Sequence, residues 1–217
     1  MDFYTGQELL MRCQTELLPI SELMKQREIT AGHMPVEQVD EKLKKVLTIM
    51  KRSVIRPLAA PSKSIGGLIG GEAKSVSDHA YAENNVTGSL LSKALAYSMA
   101  VLEVNASMGL IVAAPTAGSS GVLPGVLLAL QREKSLPDTI LYQGLLNASA
   151  IGYLLMRNAS ISGAEAGCQA EVGAASAMAA SAVVEMMGGT PEICLEAASI
   201  ALSNLLGLVC DPIAGLV

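Results

Sequence analysis

Glu165-Ala-Gly-Cys-Gln-Ala-Glu-Val-Gly-Ala-Ala-Ser-Ala-Met-Ala-Ala-Ser-Ala-Val-Val-Glu-Met-Met187 is a run of mostly small residues that stops at Gly188-Gly189. A helix of Ala, Gly and Ser lets neighbouring backbones come close, so this run is expected to be a central helix. The composition agrees: 51% of residues are hydrophobic, only 3% are aromatic, and Trp is absent. A core of small and flexible side chains suits close-packed helices better than sheets. The expected fold is all-α, a compact multi-helix domain around a central small-residue helix.

Working outward, the run is preceded by a hydroxyl- and glycine-rich turn, so that Asn158 to Gly173 joins that turn to a helix start with Cys168 on its first turns. Downstream, Pro191 fits the first position of a last helix, Glu192 to about Leu206, followed by Gly207-Leu-Val-Cys-Asp-Pro-Ile-Ala-Gly215. Upstream, helices are expected over Asp138 to Arg157, Val122 to Leu130 and Ser89 to Met108. Pro57 to Gly88 reads as a loop with short helical pieces. Pro35 starts a helix through about Ile55 that ends near Arg56-Pro57, and residues 5 to 28 read as one amphipathic helix bent at Pro19. The chain, residues 1 to 217, is read as a single domain with charged N-terminal helices (1–56) and an apolar core (57–217).

Residues 1 to 83 hold 22 of the 35 charged side chains. A formal charge of −5 and the lack of a basic cluster interleaved with aromatics argue against nucleic acid. Lys44, Lys45, Lys51, Arg52 and Arg56 read as a solvated helix face. Met1 to Leu10 has no basic segment leading into an apolar run, so no signal peptide is expected and the cytoplasm is the expected location. Thr139 to Met156 is 18 residues without a charge. Gln143, Asn147, Ser149 and Gly152 interrupt it, and no aromatic belts flank it, so it reads as a core helix and not a membrane span.

The cysteines at 13, 168, 194 and 210 form no C-x-x-C pair, so any metal site must be assembled from distant parts of the chain. Cys13 and Cys194 fall on apolar helix faces and read as core. Thr116, Gly118, Ser119, Ser120 and Gly121 place hydroxyl and N–H donors just before a helix. Two readings stand for them: an anion site for a carboxylate or phosphate, or an ordinary capped loop. No Gly-Lys-Ser/Thr follows, so this is not a P-loop. His33 and His79 lack partner motifs and read as structural or surface residues.

Three segments, Ala113 to Gly125, Asn158 to Gly173 and Gly207 to Val217, together resemble the iron-sulfur-dependent L-serine dehydratases of the two-subunit type, and specifically their alpha chain. The resemblance implies a helical chain that binds a 4Fe-4S cluster through three cysteines, two of them matching Cys168 and Cys210. The third would fall in a Pro-Cys just beyond Val217, so the chain is expected to be incomplete there and inactive alone. The implied reaction is dehydration and deamination of L-serine to pyruvate and ammonia, with the open iron as Lewis acid on the hydroxyl. Thr116, Gly118, Ser119, Ser120, Ser160, Ser162 and Gly163 are the candidates for lining the site or holding the substrate carboxylate. The proton-transferring histidines are implied to lie on a beta subunit. Without beta and the downstream segment, exposed apolar surface makes self-association expected. Two other readings remain: an iron-sulfur L-cysteine desulfidase, and a non-catalytic helical structural partner whose cysteines are small buried hydrophobes.

Overall fold

A computed structural model describes residues 2–80 and 82–208. Among them the chain is all-α, as expected. In chain order the helices are α1 (Gly6–Glu16), α2 (Ile20–Thr30), α3 (Val36–Ala59), α4 (Glu72–His79), α5 (Gly88–Ala106), α6 (Val122–Lys134), α7 (Asp138–Asn158), α8 (Gly163–Ala166), α9 (Cys168–Met186) and α10 (Pro191–Ser203). The residues group into two compact units. One holds the first 44 residues and the chain from Tyr142 onward, and the other holds Lys45–Leu141.

In the first unit, α1 starts at a capping box. Thr5 accepts from the Glu8 N–H at 3.1 Å, and the Glu8 carboxylate accepts from the Tyr4 N–H at 2.7 Å. Residues 5 to 28 are two helices and not one bent helix. Leu17 turns left-handed at φ 55 and Pro19 stands at the N-cap of α2, so the chain is cut between them. The core gathers Phe3, Leu9, Cys13, Ile20, Leu23, Met24, Leu146, Ala150, Leu154 and Cys194. Phe3 meets Tyr153 edge-on with ring centroids 5.6 Å apart, and Arg27 lies 3.8 Å over the same Tyr153 ring while its Nε holds Asp2 at 2.6 Å. The small-residue helix α9 is central, as its composition predicts: Gly173, Ala174, Ala175, Ala177, Ala179, Ser181 and Ala182 are all buried. It packs along α10, where a Cβ on Gly173 would stand 3.3 Å from Leu202.

In the last turn of α9, Glu185 organises a polar knot. Its carboxylate accepts from the Ser21 N–H in the first turn of α2 (3.2 and 3.3 Å) and from Asn147 Nδ2 (2.7 Å). A carboxylate at a helix start is favoured by the orphan N–H groups there.

In the second unit, α5 packs on α4 and on α6. The α5/α6 crossing is close because two glycines face it. A Cβ on Gly121 would lie 2.5 Å from the Ser98 carbonyl oxygen. One on Gly125 would collide with Ser98 Oγ and stand 2.9 Å from the Ala94 oxygen.

Several helix boundaries differ from expectation. α3 runs past Pro57 to Ala59, because a proline in the last turn removes one hydrogen bond while Ala60 N–H still donates to Arg56 O at 2.9 Å. The single helix expected over Glu165–Met187 is split at Gly167, whose φ of 84 breaks it into α8 and α9. α10 ends at Ser203, short of Leu206. Of the basic group on α3, Lys44, Lys45, Arg52 and Arg56 are exposed, whereas Lys51 pairs with Asp138 at 2.6 Å. Among the described residues one helix, α7, is long and apolar enough to cross a membrane, and 56% of that stretch is buried within the chain.

Candidate functional site

The Asn158–Gly173 segment lies in the first unit. Asn158, the last residue of α7, anchors it by donating from Nδ2 to the Tyr4 oxygen (2.8 Å) and the Leu154 oxygen (2.9 Å). Two carboxylates then fold the turn back on itself. Ser160 Oγ donates to Glu165 at 2.6 Å, and the Gly163 N–H donates to Glu171 at 3.0 Å. A Cβ on Gly163 would lie 2.7 Å from the Glu171 oxygen and would push that carboxylate aside. Ser162 is the N-cap of the one-turn α8 and makes no side-chain capping bond. Gly167, left-handed, then starts α9, so Cys168 is its first residue and its side chain is exposed.

Ser160, Ser162 and Gly163 share this turn, and Cys168 stands on the helix that follows it, beyond α8. Glu165 and Glu171, which shape the turn, are not among the sequence-predicted site residues. Their positions after the Ser/Gly run carry the signal, but nothing in the sequence says that their carboxylates turn inward. Beside the turn, Leu155, Ala159, Ser160, Ile161, Gln169, Ala170 and residues of the α10 end line a hollow of about 500 Å³. Gln169 Nε2 donates to the Ala166 oxygen at 2.9 Å, while its buried Oε1 has no hydrogen-bond partner.

The Thr116–Gly121 loop lies in the second unit. Its hydroxyls point inward: Ser119 Oγ donates to the Ala114 oxygen (3.3 Å) and Ser120 Oγ to the Ala117 oxygen (2.7 Å), and both serines are buried. Thr116 Oγ1 accepts from the Ser119 N–H at 3.4 Å, and Asn105 Nδ2 holds the Ala117 oxygen at 3.2 Å. Gly118 is exposed and Thr116 half-buried. Ser119 and Ser120 therefore build the loop, and Thr116 and Gly118 are its solvent-facing members.

The cysteines divide sharply. Burial first, then the Glu185 charge, pushes the Cys13 thiol up to about 11 and the Cys194 thiol up to about 12. Both are buried in apolar surroundings and hold their protons more firmly than an exposed thiol. Cys168, exposed at a helix start where backbone N–H groups favour negative charge, fits a cluster ligand. Cys210 lies outside the described residues. Among those residues no three His, Cys, Asp or Glu side chains converge as a metal-binding group. His33 and His79 are exposed, His33 in a left-handed turn and His79 at the end of α4.

By fold and site the chain is an all-helical protein that presents a thiol at the head of its small-residue helix. The family model for the serine dehydratase alpha chain matches residues 15–217. The "L-serine dehydratase, alpha chain" of Peptoniphilus asaccharolyticus is 44% identical over 213 residues, covering 98% of this chain and 73% of its own length. The "Probable L-serine dehydratase, alpha chain" of Bacillus subtilis is 41% identical over 215 residues, covering 99% and 71%. The "L-serine dehydratase" of Streptomyces coelicolor is 38% identical, covering 99% of this chain and 47% of the relative. The chain belongs to the serine dehydratase alpha chain family.

Proposed function

We propose that this chain is the alpha subunit of an L-serine ammonia-lyase, a carbon–oxygen lyase that works with a beta subunit and a 4Fe-4S cluster in the cytoplasm. The observation that carries the reading is the exposed Cys168 thiol on the first residue of α9, inside the segment that the family match covers. The alpha-chain names of the relatives support a separate beta partner.

Cys168 and Cys210 are the proposed ligands from this chain, two of the three cysteines that the family resemblance implies. When bound, the cluster would supply an open iron as Lewis acid for the serine hydroxyl. The chain's own residues bind and orient: the Ser160, Ser162, Gly163 turn of the first unit is one candidate for holding the substrate carboxylate through hydroxyl and N–H donors, and the Thr116 and Gly118 loop of the second unit is another. Ser119 and Ser120 hold the second of these loops in shape. Loss of the α-proton and of the β-hydroxide, together one water, gives aminoacrylate, whose imine tautomer is hydrolysed by a second water to pyruvate and ammonia. The proton-transferring histidines are assigned to beta.

Anaerobic reconstitution of alpha and beta with iron and sulfide, followed by visible absorbance and pyruvate release from L-serine, tests this. Cys168→Ser is expected to lose both the cluster absorbance and the turnover, and the 217-residue chain alone is expected to be inactive. Retention of both signals by Cys168→Ser would overturn the assignment.

A further inference from the structure

The second unit carries a hollow of about 600 Å³ lined by none of the residues assigned to the cluster or the substrate. One wall is a stripe of α3, Lys51, Val54, Ile55, Leu58 and Ala59, at the i, i+3, i+4, i+7, i+8 spacing of an apolar helix face. Tyr97 from α5 and Leu128 from α6 complete the apolar surface, and Gln131 and Arg132 stand along the α6 side. Such a face would ordinarily be covered. Here Ile55 is 63% exposed.

The charged groups of this hollow, Lys51 and Arg132, are both cations, and Tyr97 and Gln131 are its neutral polar groups. Lys51 Nζ and Gln131 Nε2 both reach Asp138 Oδ1, at 2.6 and 2.7 Å, and so are already engaged. Arg132 is exposed and makes no ion pair among the described residues. No carboxylate lines the hollow, and from Lys45 to Gly71 the chain holds five cations and no acid, although its formal charge is −5. An apolar groove with one unpaired guanidinium at its edge is complementary to an amphiphilic monoanion.

We propose that this groove, whose volume falls in the range of small-molecule sites, binds a medium-chain aliphatic carboxylate. The carboxylate pairs with Arg132, and the alkyl tail lies along Val54, Ile55, Leu58 and Leu128. The proposal is independent of the lyase reading, because no cluster or substrate residue takes part.

Calorimetric titration of the chain with octanoate and with octanol separates head from tail. Saturable octanoate binding is expected, with octanol weaker by about tenfold, as for loss of a charge-assisted contact. Arg132→Gln should bring octanoate down to the octanol level, and Ile55→Asn should weaken both. Both positions are solvent-exposed, and circular dichroism of each variant checks the fold. Equal affinity for the two probes, octanoate binding unchanged by Arg132→Gln, or no binding at all would overturn the proposal. So would dissociation of a dimer on Ile55→Asn without any octanoate binding, which would make the groove an interface between copies.

Discussion

Cys13 and Cys194 sit 2% and 0% exposed in the core of the first unit, while Cys168 meets solvent at the start of α9. The two buried thiols have a consequence for alkaline stability. Their folded values, about 11 and about 12, lie above the ordinary 9.0, so the folded chain holds protons that the unfolded chain releases. Their contribution is fully present below pH 9 and is lost as pH rises towards 11 and 12. The midpoint of urea unfolding is expected to fall over that range, and to fall less in a Cys194→Ala variant measured against its own neutral-pH value. Equal alkaline losses in the two proteins would contradict this. The division of the cysteines was partly legible in the sequence, because Cys13 and Cys194 fall on apolar helix faces. The inward turn of the Ser119 and Ser120 hydroxyls was not, since a serine in a loop donates to solvent, ligand or a nearby carbonyl with equal ease.

At the scale of elements, the α5/α6 crossing rests on Gly125. Alanine would improve helix propensity by about 0.8–1.0 kcal/mol, but its Cβ would meet Ser98 and stand 2.9 Å from the Ala94 oxygen, which is helix backbone. Overpacking of this kind costs about 1–3 kcal/mol and outweighs the gain. Gly125→Ala is expected to lower the urea midpoint, while Gly66→Ala, with nothing within 4 Å of the added carbon, should change stability by less than about 0.5 kcal/mol. A midpoint raised by Gly125→Ala would show that α5 yields at no cost. Most helices were legible from apolar periodicity and from prolines at their starts. The break at Gly167 was hidden because the residues on both sides are small and helix-compatible, and the decision lies in the Glu171 contact eight residues from its partner. Pro57 misled in the opposite direction, because its missing hydrogen bond to the preceding turn is tolerated this close to the helix end and α3 continues to Ala59.

Across the whole molecule, apolar side chains remain on the surface in rows and not only singly. On α5, Leu91, Leu95 and Leu102 are 51%, 46% and 41% exposed at i, i+4, i+11, a helix face without a cover in the second unit. Without a beta chain, sedimentation velocity is expected to show concentration-dependent association that Leu91→Gln with Leu95→Gln reduces. A monomer at every concentration would refute this. The charge segregation behind this surface was plain in the sequence, with 22 of 35 charges in the first 83 residues. Which faces stay uncovered depends on the path of the chain, and no residue pattern states that in advance.

The Gly163 N–H, one of the donors assigned to the substrate, is already occupied by Glu171 at 3.0 Å. A carboxylate arriving there trades places with a carboxylate in residence. Binding at that atom is then an exchange and not an addition: the turn keeps its count of hydrogen bonds, and Glu171 is released. The affinity at this point measures the difference between two similar anions, so it is set by how tightly the chain holds its own side chain as much as by the ligand.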